Sequence, residues 1–348
     1  MIPLPAILQP ALVTALAVAL AATLVSCGFS ESVEEFGGPA QGSTYSVKYV
    51  SNASAPDKAE LKAETEAIFA EVDEQMSTYR DDSLIEQFNR APAGTCMPMP
   101  EGVLKLVQTG DELHRDSGGA FDLTLEPLLD LWGFGPRGNG ERQVPDAVAL
   151  EEVRGRIGQE HLHIDGDRLC KDLDLQVDFN SIAAGYTVDR IIERLVELGV
   201  RSYLVEATGE LKAVGRKPDG QPWRIALEAP RDDQRAIQQV IELDGYGIST
   251  SGDYRNYFEE QGVRYSHTLD PQTAAPIQHT LAAVTVAAPS TLMADGLSTV
   301  LLVLGPDKGY AYAEREGIAA FFVTREGGGF VTRSTATFEQ LFAAGGKQ

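Results

Sequence analysis

Basic residues are scarce in this chain. Its 348 residues carry 29 Lys and Arg against 51 Asp and Glu, a formal net charge of −22. That balance argues against a nucleic-acid partner, whose phosphates would be repelled over most of the surface, and it obliges any phosphate-bearing ligand to bind with a cation. Cysteine is scarcer still, with three in the chain. No Cys-x-x-Cys and no Cys/His ligand spacing is present, so a zinc site is not expected. There is no P-loop and no Gly-x-Ser-x-Gly elbow. Gly245-Tyr246-Gly247-Ile248-Ser249-Thr250-Ser251-Gly252 has neither the Gly-x-Gly-x-x-Gly spacing nor a clear helix after it, which removes a dinucleotide-binding fingerprint and leaves a Ser/Thr/Gly turn able to contact a ligand. Internal repeats and low-complexity segments are absent after residue 27.

Charge of either sign is missing from residues 1–27, and residues 11–25 form an apolar run of signal-peptide length, shorter than a membrane span. The run ends in Leu24-Val25-Ser26-Cys27, which resembles a bacterial lipobox: cleavage before Cys27, then acylation of its sulfur and new amino group. Against this, no Lys or Arg precedes the run; the first is Lys48. The expected layout is a lipoprotein signal peptide over 1–27, an acidic, aperiodic tether over 28–40, and one folded part over 41–340. The mature chain would then be anchored by lipid at the bacterial cell envelope, on the periplasmic face. There an oxidising compartment permits a disulfide between Cys96 and Cys170, although their neighbourhoods do not say whether they meet.

The chain is 43% hydrophobic, enough for a sizeable core, and mixes helical and strand patterns, which predicts one large or two modest domains of the α+β class. The rest is organised around residues 177–189. Val177-Asp178-Phe179 alternates as a short strand does, and small residues follow. Val188, Ile191, Ile192, Leu195 and Leu198 then keep the 3.6-residue period of a helix that Asn180 or Ser181 can cap and Gly199 can end. Such a helix start offers N–H groups to an anion. Upstream, the pattern predicts a strand over 45–49, a helix from the cap Asp57 to about 75, a helical turn over 83–89 and a helix over 101–115. Downstream come several strands between 211 and 287, helices over 291–304 and 307–316, and a late strand over 319–323.

On the predicted helix over 291–304, Asp295 and Thr299 lie four apart with Ser298 beside them, so their oxygens share a face and could begin a Mg²⁺ shell. The ordinary alternative is a first-turn anion and a threonine back-bonded to a carbonyl. His267 ends a strand just before the Asp270-Pro271 turn, which suits a proton acceptor or a structural hydrogen-bonding residue. His114, His161, His163 and His279 have less suggestive settings.

Taken together, these stretches resemble the ApbE family, the FAD:protein FMN transferases. The resemblance rests on Gly42-Ser43-Thr44-Tyr45; Met76-Ser77-Thr78-Tyr79 with Ser83 and Asn89; Gly119-Ala120-Phe121-Asp122 with Trp132-Gly133-Phe134-Gly135; Asp178 through Gly185-Tyr186 to Asp189; Ile248-Ser249-Thr250-Ser251-Gly252; Ser266-His267 with Asp270-Pro271; and Ala294-Asp295 with Thr299. It implies an α+β, T-fold-related architecture of mixed sheets with packed helices. It further implies a Mg²⁺-dependent transferase: a Thr or Ser hydroxyl of a target protein attacks the FMN-side phosphorus of FAD, and AMP leaves. The acceptor would be a flavoprotein subunit of a membrane redox complex. By the same resemblance Asp295, Thr299 and the Ala183 carbonyl are metal ligands, and His267 is the base. Tyr79 stacks on a ring of FAD, Ala120, Phe121 and Asp122 line the nucleotide, and Asn180, Tyr186 and Leu269 complete the pocket. Gln41 holds a pocket position where the family usually has Met. Ala184 replaces a common Lys before Gly-Tyr, Thr208-Gly209-Glu210 replaces a Gly-Gly-acidic run, and Ala274 replaces a Gly after Asp-Pro-x-Thr. The lost Lys shifts the burden of holding the diphosphate towards Mg²⁺. Two other readings share the site: a metal-dependent FAD pyrophosphatase giving FMN and AMP, and a flavin-binding lipoprotein without turnover.

Overall fold

The computed structural model describes residues 30–137, 142–230 and 237–342. The signal peptide, Cys27 and the start of the tether lie outside these residues. Residues 33–40 of the expected tether form a strand. Val33–Ala40 (β1) runs antiparallel to Ser43–Val50 (β2), in register from Val33↔Val50 to Ala40↔Ser43. The strand escapes a hydrophobic pattern because a single large residue, Phe36, anchors it, edge-on against Tyr45 and Tyr49 at 6.4 and 6.0 Å. Its acidic residues face Lys58 and Lys48 instead. Gln41 and Gly42, at φ 47° and 74°, form the two-residue turn between the strands.

Helix α1 (Lys58–Met76) is capped by the Asp57 side chain, and α2 (Leu84–Asn89) by Ser83. Strand β3 (Cys96–Pro98) precedes α3 (Glu101–Ser117), which ends at left-handed Gly118. Short helices α4 (Glu126–Leu131) and α5 (Ala147–Arg154) lead to the hairpin β4 (Leu162–Asp165) and β5 (Arg168–Lys171). Cys96 and Cys170 are opposite one another on β3 and β5 and form a disulfide.

After that hairpin come α6 (Ala183–Glu197), β6 (Tyr203–Ala207), β7 (Glu210–Val214), β8 (Trp223–Glu228), β9 (Ile237–Leu243) and β10 (Tyr246–Gly252). Next are β11 (Tyr257–Glu260), β12 (Val263–Ser266), β13 (Leu269–Asp270), β14 (Ala275–Pro276) and β15 (Leu281–Ala288). The chain closes with α7 (Thr291–Arg315), β16 (Ala319–Glu326), β17 (Gly329–Ser334) and α8 (Ala336–Phe342). The two helices expected over 291–316 are the two arms of α7, bent at Gly305-Pro306, where Gly305 takes φ 78°.

One antiparallel sheet in the order β1-β2-β6-β7-β10-β15-β16-β17 draws strands from both ends of the described chain, so the fold is one unit, not two. Helices α1, α3, α6 and α7 cover one face; the β8–β9 ribbon and α8 cover the other. Small residues fill β15, buried at all eight positions, because both faces of that strand are covered.

Around residues 177–189 the helix and Gly199, at φ 90°, are as expected, but two details differ. Residues 177–179 are not a strand. The Asn89 side chain takes the place of a strand partner, accepting from the Val177 N–H at 2.8 Å and donating to its carbonyl at 3.0 Å. Neither Asn180 nor Ser181 caps α6. The Asn180 N–H and Nδ2 both donate to Asp178, at 2.6 and 3.0 Å, and the helix begins after Ile182 without a side-chain cap.

Candidate active site

Helices α6 and α7 meet at Gly185. A Cβ there would stand 2.5 Å from the Thr291 carbonyl oxygen and 2.8 Å from the Asp295 Cβ, so the close approach requires glycine. The Gly185 N–H donates to Asp295 Oδ2 at 2.9 Å. One turn on, Asp189 accepts from Ser290 Oγ at 2.7 Å and from the Thr291 and Leu292 N–H groups at 3.0 Å, capping α7 from a neighbouring helix. The start of α6 and the face of α7 carrying Asp295 are thereby clamped at two points.

Strand β10 supplies the opposite wall. Its period of two puts Ser249 and Ser251 on one face, and the helical period puts Asp295, Ser298 and Thr299 on another. Ser251 Oγ lies 2.7 Å from Ser298 Oγ and 3.5 Å from Thr299 Oγ1. Ser249 Oγ lies 3.4 Å from both Asp295 Oδ1 and Glu210 Oε1, joining two carboxylates that sequence reasoning had kept apart. Burial, then the negative charge of Glu210, pushes the Asp295 carboxyl well up. Burial likewise raises Glu210. No Lys, Arg or His pairs with either among the described residues. This all-oxygen set of carboxylates and hydroxyls, with no cationic side chain beside it among the described residues, suits a hard divalent cation such as Mg²⁺.

The site opens into a cavity of about 710 Å³. Ala120, Phe121, Asp122, Asn180, His267, Leu269, Asp295 and Thr299 all line it, together with Asp178 and Glu210. His267 follows β12, with its N–H and ring Nδ1 at 3.0 and 3.2 Å from the Asn256 carbonyl. If Nδ1 is the donor, the proton sits there and Nε2 is the basic atom. Burial pushes the His267 imidazole below its ordinary value.

Residues 41–322 match the ApbE family. The FAD:protein FMN transferase of Vibrio cholerae serotype O1 is 40% identical over 329 residues, spanning 94% of this chain and 98% of its own length. The chain belongs to the ApbE family. The crystal structure of Pseudomonas stutzeri flavinyl transferase ApbE, apo form, matches with a TM-score of 0.86 at 64% identity, covering 91% of this chain and 99% of that one. Flavin transferase ApbE from Vibrio cholerae matches with a TM-score of 0.84 at 38% identity, covering 90% and 100%.

Four residues expected at the ApbE-type pocket stand off the cavity wall. Tyr186 turns into the core, where a Cβ on Gly102 of α3 would touch its hydroxyl, and Arg190 Nη1 donates to that hydroxyl at 2.8 Å. Its place on the inward face of α6 decides this. Tyr79 is 70% exposed on the loop after α1, free to fold over a ligand but not part of the wall. The Ala183 carbonyl accepts the Thr187 hydroxyl at 2.7 Å, and Gln41 Nε2 reaches that same hydroxyl at 3.4 Å. A carbonyl has two lone pairs, so Ala183 could still take a ligand. Glu210 has no assigned role in the sequence reading, and Ser249 and Ser251 appear there only within a Ser/Thr/Gly turn able to contact a ligand; the signals for them are Ser alternation along β10 and the acidic end of Thr208-Gly209-Glu210.

Proposed function

We propose that this chain is a FAD:protein FMN transferase acting at the cavity between β10, α7 and His267. The observation that carries this reading is the juxtaposition, in one ApbE-family cavity, of a proton acceptor with a buried oxygen cluster. An acceptor Thr or Ser oxygen attacks the FMN-side phosphorus, the bond to the AMP phosphate breaks, and the hydroxyl proton passes to His267 Nε2. Asp295, Thr299 and Glu210, with Ala183 at the edge, would hold Mg²⁺. That ion, when bound, neutralises the diphosphate and steadies the leaving phosphate. Ala120, Phe121, Asn180 and Leu269 hold the nucleotide, and Tyr79 closes over it from the rim. Asp122 shapes this wall through its bonds to Thr124 and Gln159.

The enzyme works on the periplasmic face, anchored through Cys27. Support comes from the lipobox-like run and from the Cys96–Cys170 disulfide, which fits an oxidising compartment. Its acceptor is a flavoprotein subunit of a membrane redox complex, a partner that a lipid tether keeps within reach. The test is to incubate residues 28–348 with FAD and Mg²⁺, with and without a candidate acceptor domain, and to follow AMP and covalent flavin. AMP with an FMN adduct on the acceptor establishes the transferase. AMP with only free FMN makes the protein a pyrophosphatase, and intact bound FAD makes it a carrier.

A further inference from the structure

The Trp132-Gly133-Phe134-Gly135 turn has no role in the scheme above, yet it is built with unusual constraint. Gly133 takes φ 78°, and a Cβ on Gly135 would lie 2.1 Å from Asp130 Oδ1. The Phe134 and Gly135 N–H groups both donate to the Leu129 carbonyl, at 2.8 and 3.0 Å, and the Trp132 indole donates to the Ala274 carbonyl at 3.2 Å. Together these contacts hold the turn in one orientation.

That orientation delivers Phe134 to His267. The two rings meet edge to face at 67°, with centroids 6.5 Å apart. The neighbouring rings brace the contact: Phe134 lies 5.8 Å from Phe258, Phe258 stacks on Tyr265 at 5.1 Å, and Tyr265 stacks on Trp132 at 5.6 Å. Arg142 covers Phe134 at 5.2 Å and donates to the Tyr257 carbonyl. The imidazole is therefore held by the Asn256 carbonyl at Nδ1 and by an aromatic ring set edge to face with it.

We propose that this turn is a positioning element for His267, with Phe134 as the side chain that fixes the imidazole's orientation towards the cavity. The inference rests on His267 as the base only for its effect on rate; the grip itself is independent of the reaction. Around the ring, burial disfavours the imidazolium most, the Asn256 carbonyl and Asp253 favour it, and Arg142 opposes it. Asp253 is itself held by Arg325 at 2.7 and 2.8 Å. Replacing Phe134 by a smaller, less rigid side chain lets water reach the ring and lets it turn.

The experiment uses the full chain labelled at histidine, with the His267 resonance assigned by its loss in His267→Gln. In Phe134→Leu the His267 titration midpoint should move up, towards that of an ordinary histidine. kcat should fall about tenfold with KM for FAD unchanged. Phe134→Tyr, which keeps the ring, should restore both. Phe134→Met, close in volume, carries the same expectation should the Leu variant fail to fold. An unchanged midpoint in the Leu or Met variant overturns the proposal. A raised midpoint with unchanged kcat would keep the positioning role and instead remove His267 as the base, so the two failures are distinguishable.

Discussion

Asp295 and Glu210 illustrate how a single buried site can be costly until it is filled. Each carboxylate loses water on burial; the charge of Glu210 further disfavours that of Asp295, and the charge of Glu206 that of Glu210. Asp295→Asn keeps the acceptor for the Gly185 N–H but removes the charge. It should abolish Mg²⁺-dependent AMP release while the protein melts at or above the parent temperature without metal; undiminished release would remove Asp295 from the metal site. A third buried carboxyl, Glu126, speaks to pH. Burial, with the charges of Asp178 and Asp130, pushes it up to about 8, although Arg137 Nη1 lies 3.0 Å away and pulls in the other direction. The folded group holds its proton to higher pH than the unfolded chain, whose value is near 4.5. Its effect on stability is therefore absent below that value and becomes a growing penalty as pH rises towards about 8. Glu126→Gln should flatten the fall in melting temperature between pH 5 and pH 8, and an equally steep fall would refute this origin.

At the scale of elements, the contact between α6 and α7 sets the site. Gly185→Ala places a methyl against the Thr291 carbonyl and the Asp295 Cβ, so the helices must separate. The expected cost is about 1–3 kcal/mol of stability, with Mg²⁺ affinity reduced when read by calorimetry on the folded variant. Retained affinity would show that the crossing tolerates more slack than its geometry implies. Asn180 and Ser181 are residue types that can cap a helix start. In the fold Asp178 engages Asn180, and the segment is held by Asn89, itself fixed through Lys171, whose Nζ donates to the Asn89 and Leu175 carbonyls at 2.9 Å. Asn89 lies 88 positions from Val177 and leaves no local trace there.

Over the whole molecule, the disulfide ties β3 to β5 across 74 positions and closes the segment containing α3, α4 and α5. Reduction, or a paired Cys96→Ser and Cys170→Ser change, should cost about 2–4 kcal/mol, seen as a lower melting temperature in dithiothreitol; no change would mean the loop is constrained by other contacts. The helical periods of α1, α6 and α7, the Asp57 cap, the helical turn over 83–89, the pairing of Asp295 with Thr299 on one face and the likeness to the ApbE family were all legible in the sequence. These depend on local spacing, or on short motifs whose order survives along the chain. The strand over 33–40, the inward turn of Tyr186 and the approach of Glu210 and Ser249 to Asp295 were decided by tertiary structure. Each depends on which surface another element covers: β2, across a two-residue turn, for the edge strand, α3 for the tyrosine, and β7 and β10 together for the carboxylate pair. Spacing along a chain specifies what shares a face, and only packing specifies what that face meets.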